Sequence, residues 1–90
     1  MRAVISVVGK DRPGILAFTA TECARRSINI EDVTQKVLDD LFTMIMVVTV
    51  PDEADVYHAF ATELEEAGEK QALKIHVMHE DIFNAMHRIG

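Results

Sequence analysis

The chain has no tryptophan, one tyrosine, two prolines and one cysteine. With Cys23 alone, no disulfide can form within the chain, so the fold needs no covalent staple and suits a reducing compartment. Cys23 lies at helical spacing from Thr19 and Ala20 and next to Ala24, where a small buried hydrophobe is expected rather than a catalytic thiol. An excess of positive charge is missing too: 9 Lys and Arg stand against 15 Asp and Glu, a net charge of −6. That surface repels a phosphate backbone, and no basic cluster interleaved with aromatics offsets it, so nucleic acid is excluded as an expected partner. No apolar run reaches the roughly 18 residues that span a bilayer. No charged leader followed by an apolar stretch opens the chain, and the expectation is a cytoplasmic protein without a membrane partner.

What is present is one domain's worth of alternating patterns. Ninety residues bury only about 60 to 65% of their unfolded surface, which makes self-association an expected route to further burial. Ala3 to Val8 is apolar on both parities, the pattern of a central strand covered on both faces, and Gly9 ends it. Asp11-Arg12-Pro13-Gly14 then turns into a helix over 13–26, with Pro13 in its first position. Its inward stripe reads Ile15, Leu16, Thr19, Ala20 and Cys23, with Glu22, Arg25 and Arg26 in water. From 31 to 38 the period is two, with Val33, Gln35 and Val37 on one face, which predicts an edge strand. Asp39-Asp40 turns the chain into a second central strand over 41–50.

After Pro51, Asp52 is placed to cap a second helix, with Val56, Ala59, Phe60, Leu64 and Ala67 as its buried stripe and Gly68 as its stop. Several acids (Asp52, Glu53, Asp55, Glu63, Glu65, Glu66) fall on or near this helix as a solvated face. Leu73, Ile75 and Val77 alternate with polar residues in a last edge strand. Central first and third strands, edge second and fourth strands and right-handed crossovers predict an α+β, ferredoxin-like βαββαβ fold. The sheet is then antiparallel in the order 2-3-1-4, with both helices on one face. Residues 79–90 form a separate terminal segment, in which Ile82, Phe83, Met86 and Ile89 share one face of a short helix. At that length it needs a surface to pack on.

The stretch Gly9-Lys10-Asp11-Arg12-Pro13-Gly14-Ile15 is the most informative. Free amides at a helix start, with the positive end of its dipole, can hold a carboxylate, and Gly14 allows close approach. A strand-to-helix turn needs the same Pro and Gly for backbone reasons alone. Taken with Ile28-Asn29-Ile30-Glu31-Asp32 after the helix, the sequence over residues 1–78 resembles the ACT-domain superfamily. Within it the chain is similar to short single-domain bacterial and archaeal members, a match that Val37 to Met44 strengthens, and these in turn are similar to the ACT modules of the glycine cleavage regulator and of formyltetrahydrofolate deformylase. The resemblance implies a regulatory amino-acid-binding module without catalytic activity, its ligand held where the first loop of one protomer meets a neighbour.

Carried over by position, Asp11, Pro13, Gly14 and Ile15 match that loop and Asn29 matches the polar position before strand two; Lys10 and Arg12 complete the candidate set. Ser27 stands where many relatives have glycine, which costs about 1 kcal/mol if the backbone there is left-handed. Asn29 also suits a helix exit for its own backbone chemistry. His76, His79 and Glu80 offer metal donors at short spacing, but the two histidines differ in strand parity and are not expected to converge. No cofactor is expected. Two other readings stay open: an association module without ligand, whose partner is a regulated protein, and an acylphosphatase-like enzyme using Arg12 and Asn29. The second lacks that family's glycine and aromatic pattern.

Overall fold

The computed structural model describes residues 1–87. The elements follow in the order β1 (Arg2–Lys10), α1 (Ile15–Arg25), β2 (Asn29–Leu38), β3 (Leu41–Thr49), α2 (Ala54–Lys70), β4 (Lys74–His79) and α3 (Glu80–Met86). The four strands form one antiparallel sheet in the order β2-β3-β1-β4, the ferredoxin-like arrangement the patterning predicts. Apolar residues on both parities thus mark β1 and β3 as central, and alternation marks β2 and β4 as edges.

The core lies between one sheet face and the helices. Ala3, Ile5 and Val7 of β1 stand opposite Val48, Met46 and Met44 of β3, and all are buried. Ile15 and Cys23 from α1 and Phe60 and Leu64 from α2 close over them. Burying a side chain such as Leu64 contributes about 2 kcal/mol, so this layer dominates the stability of a small domain. Ile30 pairs with Val48 and Val33 with Met46, and both pack on the core although three residues apart. A bulge between Ile30 and Asp32 takes up the odd residue and keeps both on one face.

The opposite face is not fully covered. Val4 is buried there, and α3 packs on β1 and β4, but Val8 and Ile45 are exposed, so the central strands are not enclosed on both sides. α3 is held by an Arg2 Nε to Glu80 Oε2 ion pair of 3.1 Å, and its start is capped by His79 Nδ1, which accepts from the Asp81 amide. Phe83 is half-buried, whereas Ile82 and Met86 are 56% and 66% exposed, so the helix does not bury its whole apolar face. Ile89, expected on the same face, lies outside the described residues.

Several local expectations are corrected. α1 begins at Ile15, not residue 13, because Gly14 is its N-cap in a left-handed conformation (φ 91°) and Pro13 precedes it. Leu16 turns outward, and Phe18 packs against the core instead. Glu22 is buried, not solvated: Arg25 Nη1 and Arg26 Nη1 each lie 3.1 Å from its carboxylate, and Arg26 itself is half-buried. On α2 the inward face is Tyr57, Phe60, Ala61, Leu64 and Gly68, and Ala59 is exposed. Gly68 does not end α2. A Cβ there would come within 2.6 Å of Ile75 Cδ1, so glycine lets the helix approach β4, and the left-handed step after the helix falls on Ala72 (φ 58°). Asp52 makes no cap; Glu53 is the N-cap, without a side-chain bond.

Candidate functional site

β1 delivers the chain to one end of the sheet, where Lys10 stands opposite Leu41 and Leu41 opposite Leu38. The β1–α1 loop is pinned there on two sides. The Asp11 amide donates to the Asp40 carbonyl at 2.7 Å, which ties it to the β2–β3 turn, and Arg12 Nη2 donates to the Gln71 carbonyl at 2.6 Å, which ties it to the turn before β4. Lys10, Asp11, Arg12, Pro13 and Gly14 are exposed, while the Ile15 side chain is buried in the core. Ile15 can therefore offer a ligand only its backbone amide.

Glycine at position 14 is required by conformation. Its φ of 91° is one that L side chains rarely adopt, yet a Cβ there would meet nothing within 4 Å. The loop thus leaves open space above the start of α1. The first turn of α1 has no side-chain cap and no acidic residue, so its leading amides and the positive end of its dipole are left without a side-chain partner. An anionic group is the natural complement.

Asn29 lies elsewhere. It opens β2 opposite Thr49, which in turn faces Arg2, so it marks the far end of the sheet from the loop. Over the length of β1 the two sites are separated by roughly 26 Å at 3.3 Å per residue. Within one protomer, then, Lys10, Asp11, Arg12, Pro13, Gly14 and Ile15 come together and Asn29 does not. Arg12 and Asn29 cannot cradle one phosphate in a single chain, which removes the geometry an acylphosphatase-like centre needs. Ser27, in the left-handed region (φ 57°), carries the strain expected where glycine would sit.

The remaining chemistry-bearing residues serve the fold. Cys23 is fully buried, and burial pushes its thiol up to about 11, far from the thiolate a nucleophile needs. His76 faces Glu65 at 3.8 Å and His79 caps α3, so they do not converge. Among the described residues no three His, Cys, Asp or Glu side chains are placed to hold a metal, and no helix is long and apolar enough to cross a membrane. Sequence reasoning missed one charged cluster, Glu22 with Arg25 and Arg26. Its signal was present as acid and base at i, i+3 and i, i+4.

The fold matches known proteins. An ACT-domain profile matches residues 2–78. A UPF0237 protein of Methanopyrus kandleri is 47% identical over 89 residues, covering 98% of each chain, and one of Listeria innocua is 43% identical, covering 99% of this chain and all of its own. The ACT domain protein from Streptococcus pneumoniae superposes with a TM-score of 0.80 at 40% identity, over 97% of this chain and 98% of that one. A protein assigned as a glycine cleavage system transcriptional repressor superposes with a TM-score of 0.74 at 25% identity, over 84% of this chain and 43% of its own. The chain therefore belongs to the ACT-domain family of regulatory ligand-binding modules.

Proposed function

We propose that the protein is a cytoplasmic, non-catalytic regulatory module that works as a homodimer joined along β2 and binds a free amino acid. The reading rests on one observation: the two halves of the candidate site stand at opposite ends of the sheet. α1 lies over β2, so the Gly14 end of α1 sits above the Leu38 end of that edge. Antiparallel pairing of two β2 strands about a two-fold axis reverses one protomer against the other. Asn29 of the partner subunit is then brought to the loop end, and each dimer carries two equivalent sites.

In such a site the amides of Ile15 and the following residues meet the ligand carboxylate, Lys10 and Arg12 add positive charge, and Asp11 and the partner's Asn29 bind the ammonium. Amino-acid binding to the folded state raises stability by about 2.7 kcal/mol at a hundredfold excess over Kd. A thermal-shift panel of free amino acids tests the reading, with a dose-dependent rise for at least one member as the expected result. A flat panel at millimolar concentration supports the second reading, an association module without ligand. The exposure of Val37, Leu38 and Leu41 around the same end of the sheet favours that alternative.

A further inference from the structure

α1 lies over β2 and α2 over β4, and a groove runs between the two helices. At one end it has an apolar cavity of about 200 Å³ lined by Ile28, Val56, Ala59 and Phe60. At the other it has a more polar cavity of about 340 Å³. Arg26 and Glu63 line both, so their ion pair, Nε to Oε1 at 2.8 Å, forms the wall between them.

The two members of this wall are held differently. Arg26 is anchored from behind, with Nη1 donating to the Glu22 carbonyl at 2.8 Å and to its carboxylate at 3.1 Å, and Glu22 is buried. That bonding holds the Glu22 carboxyl below its usual range, so it stays ionised and keeps the guanidinium in place. Among the described residues Glu63 bonds Arg26 alone, and its side chain is 54% exposed. Among the described residues, Nη2 of Arg26 and Oε2 of Glu63 have no partner. A fixed cation and a movable anion therefore stand side by side at the mouth of an apolar well.

We propose that this groove is a second ligand site, complete within one protomer, for a free amino acid with an aliphatic side chain. The carboxylate meets Nη2 of Arg26, the ammonium meets Glu63, and the side chain fills the well against Ile28 and Phe60. Three features select this class. The charges are adjacent, as the two charged groups on one α-carbon are, and a peptide, whose termini lie further apart, would reach only one of them. The cavity is smaller than the 300 to 1,000 Å³ of drug-sized sites, so it suits a small metabolite. Apart from Arg26 and Glu63, the described side chains that line it, those of Ile28, Val56, Ala59 and Phe60, are apolar and offer nothing to pair with a second carboxylate or a hydroxyl. Loosening the exposed Arg26–Glu63 contact costs little, because such pairs contribute little in water. The proposal does not depend on the dimer or on the loop site.

Amide and methyl NMR spectra of the full-length protein, titrated with L-leucine, glycine, 4-methylpentanoate and 3-methylbutylamine, test it. L-leucine is expected to give saturable shifts at Ile28, Ala59 and Phe60. The other three, which lack the side chain, the ammonium or the carboxylate, are expected to bind at least about tenfold more weakly. Ala59→Trp, at an exposed position beside the well, should remove these shifts, and the milder Glu63→Gln should weaken binding about tenfold while keeping the melting temperature. Leucine shifts confined to residues 10–15 and Asn29, or none that saturate, would overturn the groove site, and equal binding of 4-methylpentanoate would overturn the zwitterion assignment. Saturable groove shifts without loop shifts would support the groove site independently of the dimer-interface site.

Discussion

β4 and β2 are both sheet edges, but only β4 is closed from within the chain. α2 packs down on it where Gly68 meets Ile75, and Glu65 Oε2 accepts from the Val77 amide at 3.0 Å, taking a backbone group that an added strand would need. β4 is also short, six residues against ten in β2. Among the described residues a comparable device on β2 appears only near its start, where the Asp32 carboxylate accepts from the Val33 amide at 2.9 Å beside the bulge. Beyond it the strand from Thr34 to Leu38 is exposed. Soluble proteins generally blunt free edges by shortening, covering or charging them. Here one edge has these protections and the other largely lacks them, so the open edge is where a second copy is best accommodated.

The largest expected effect comes from disrupting the closed edge. Gly68→Val drives a branched side chain into Ile75, whose nearest atoms already lie 2.6 and 2.7 Å from an ideal Cβ, and should cost about 2 to 3 kcal/mol. For a domain of this size that lowers the melting temperature by roughly 10 to 20 °C in calorimetry. An unchanged melting temperature would mean that the contact of α2 with β4 does not close that edge.

Gln35→Pro attacks the open edge. The two-residue turn at Asp39-Asp40 makes Leu38 and Leu41 a mutually bonded pair, so alternation points the Gln35 amide away from β3. Proline there leaves the sheet intact and removes a donor available to a neighbour. Light scattering should show the mass fall from two chains to one, with the circular dichroism spectrum unchanged; a persistent dimer would place association on another surface. Glu65→Ala is the milder counterpart at β4. It should cost about 1 kcal/mol and speed hydrogen exchange at the Val77 amide.

A smaller effect should appear with pH and involves neither edge. The hydrogen bond from Arg26 lowers the Glu22 carboxyl in the folded state, so its stabilisation is present above the ordinary value near 4.5 and is lost as pH falls through the depressed folded value. Chemical denaturation from pH 6 to 3 should show a shallower acid loss in Glu22→Gln than in the parent, and parallel curves would contradict the linkage.

Strand order was legible because it depends only on which residues alternate and which do not. Ala3 to Val8 and Leu41 to Val50 could not have served as edges. The errors fall where an apolar pattern says nothing about close approach or charge pairing. Gly68 reads as a helix stop because glycine usually marks one, whereas contact with Ile75 needs a glycine inside the helix. Ser27, Asp39 and Ala72 take left-handed positions without being glycine, each at a local cost of about 1 kcal/mol, and Asp39 does so within the turn that Asp39-Asp40 predicts. Glu22 was read as solvated because its two arginine partners neutralise it only once the helix has formed. At the candidate site the loop was legible as one contiguous motif. The separation of Asn29 from it follows from β1 running out and α1 running back, which no spacing along the chain reveals.

The most direct test of the account mixes two variants, each with one half of the proposed site broken. Gly14→Val fills the loop half and Asn29→Ala removes the other half; each must first show the parent's circular dichroism spectrum and dimer mass. If the site joins the loop of one protomer to Asn29 of the partner subunit, neither variant alone binds the best amino acid from the thermal-shift panel. After mixing and subunit exchange, half of the dimers are heterodimers, each with one intact site, so calorimetry should recover about one site per four chains at parental affinity. No recovery after verified exchange, or parental affinity in the Asn29→Ala protein alone, would contradict a site shared across the β2 edge.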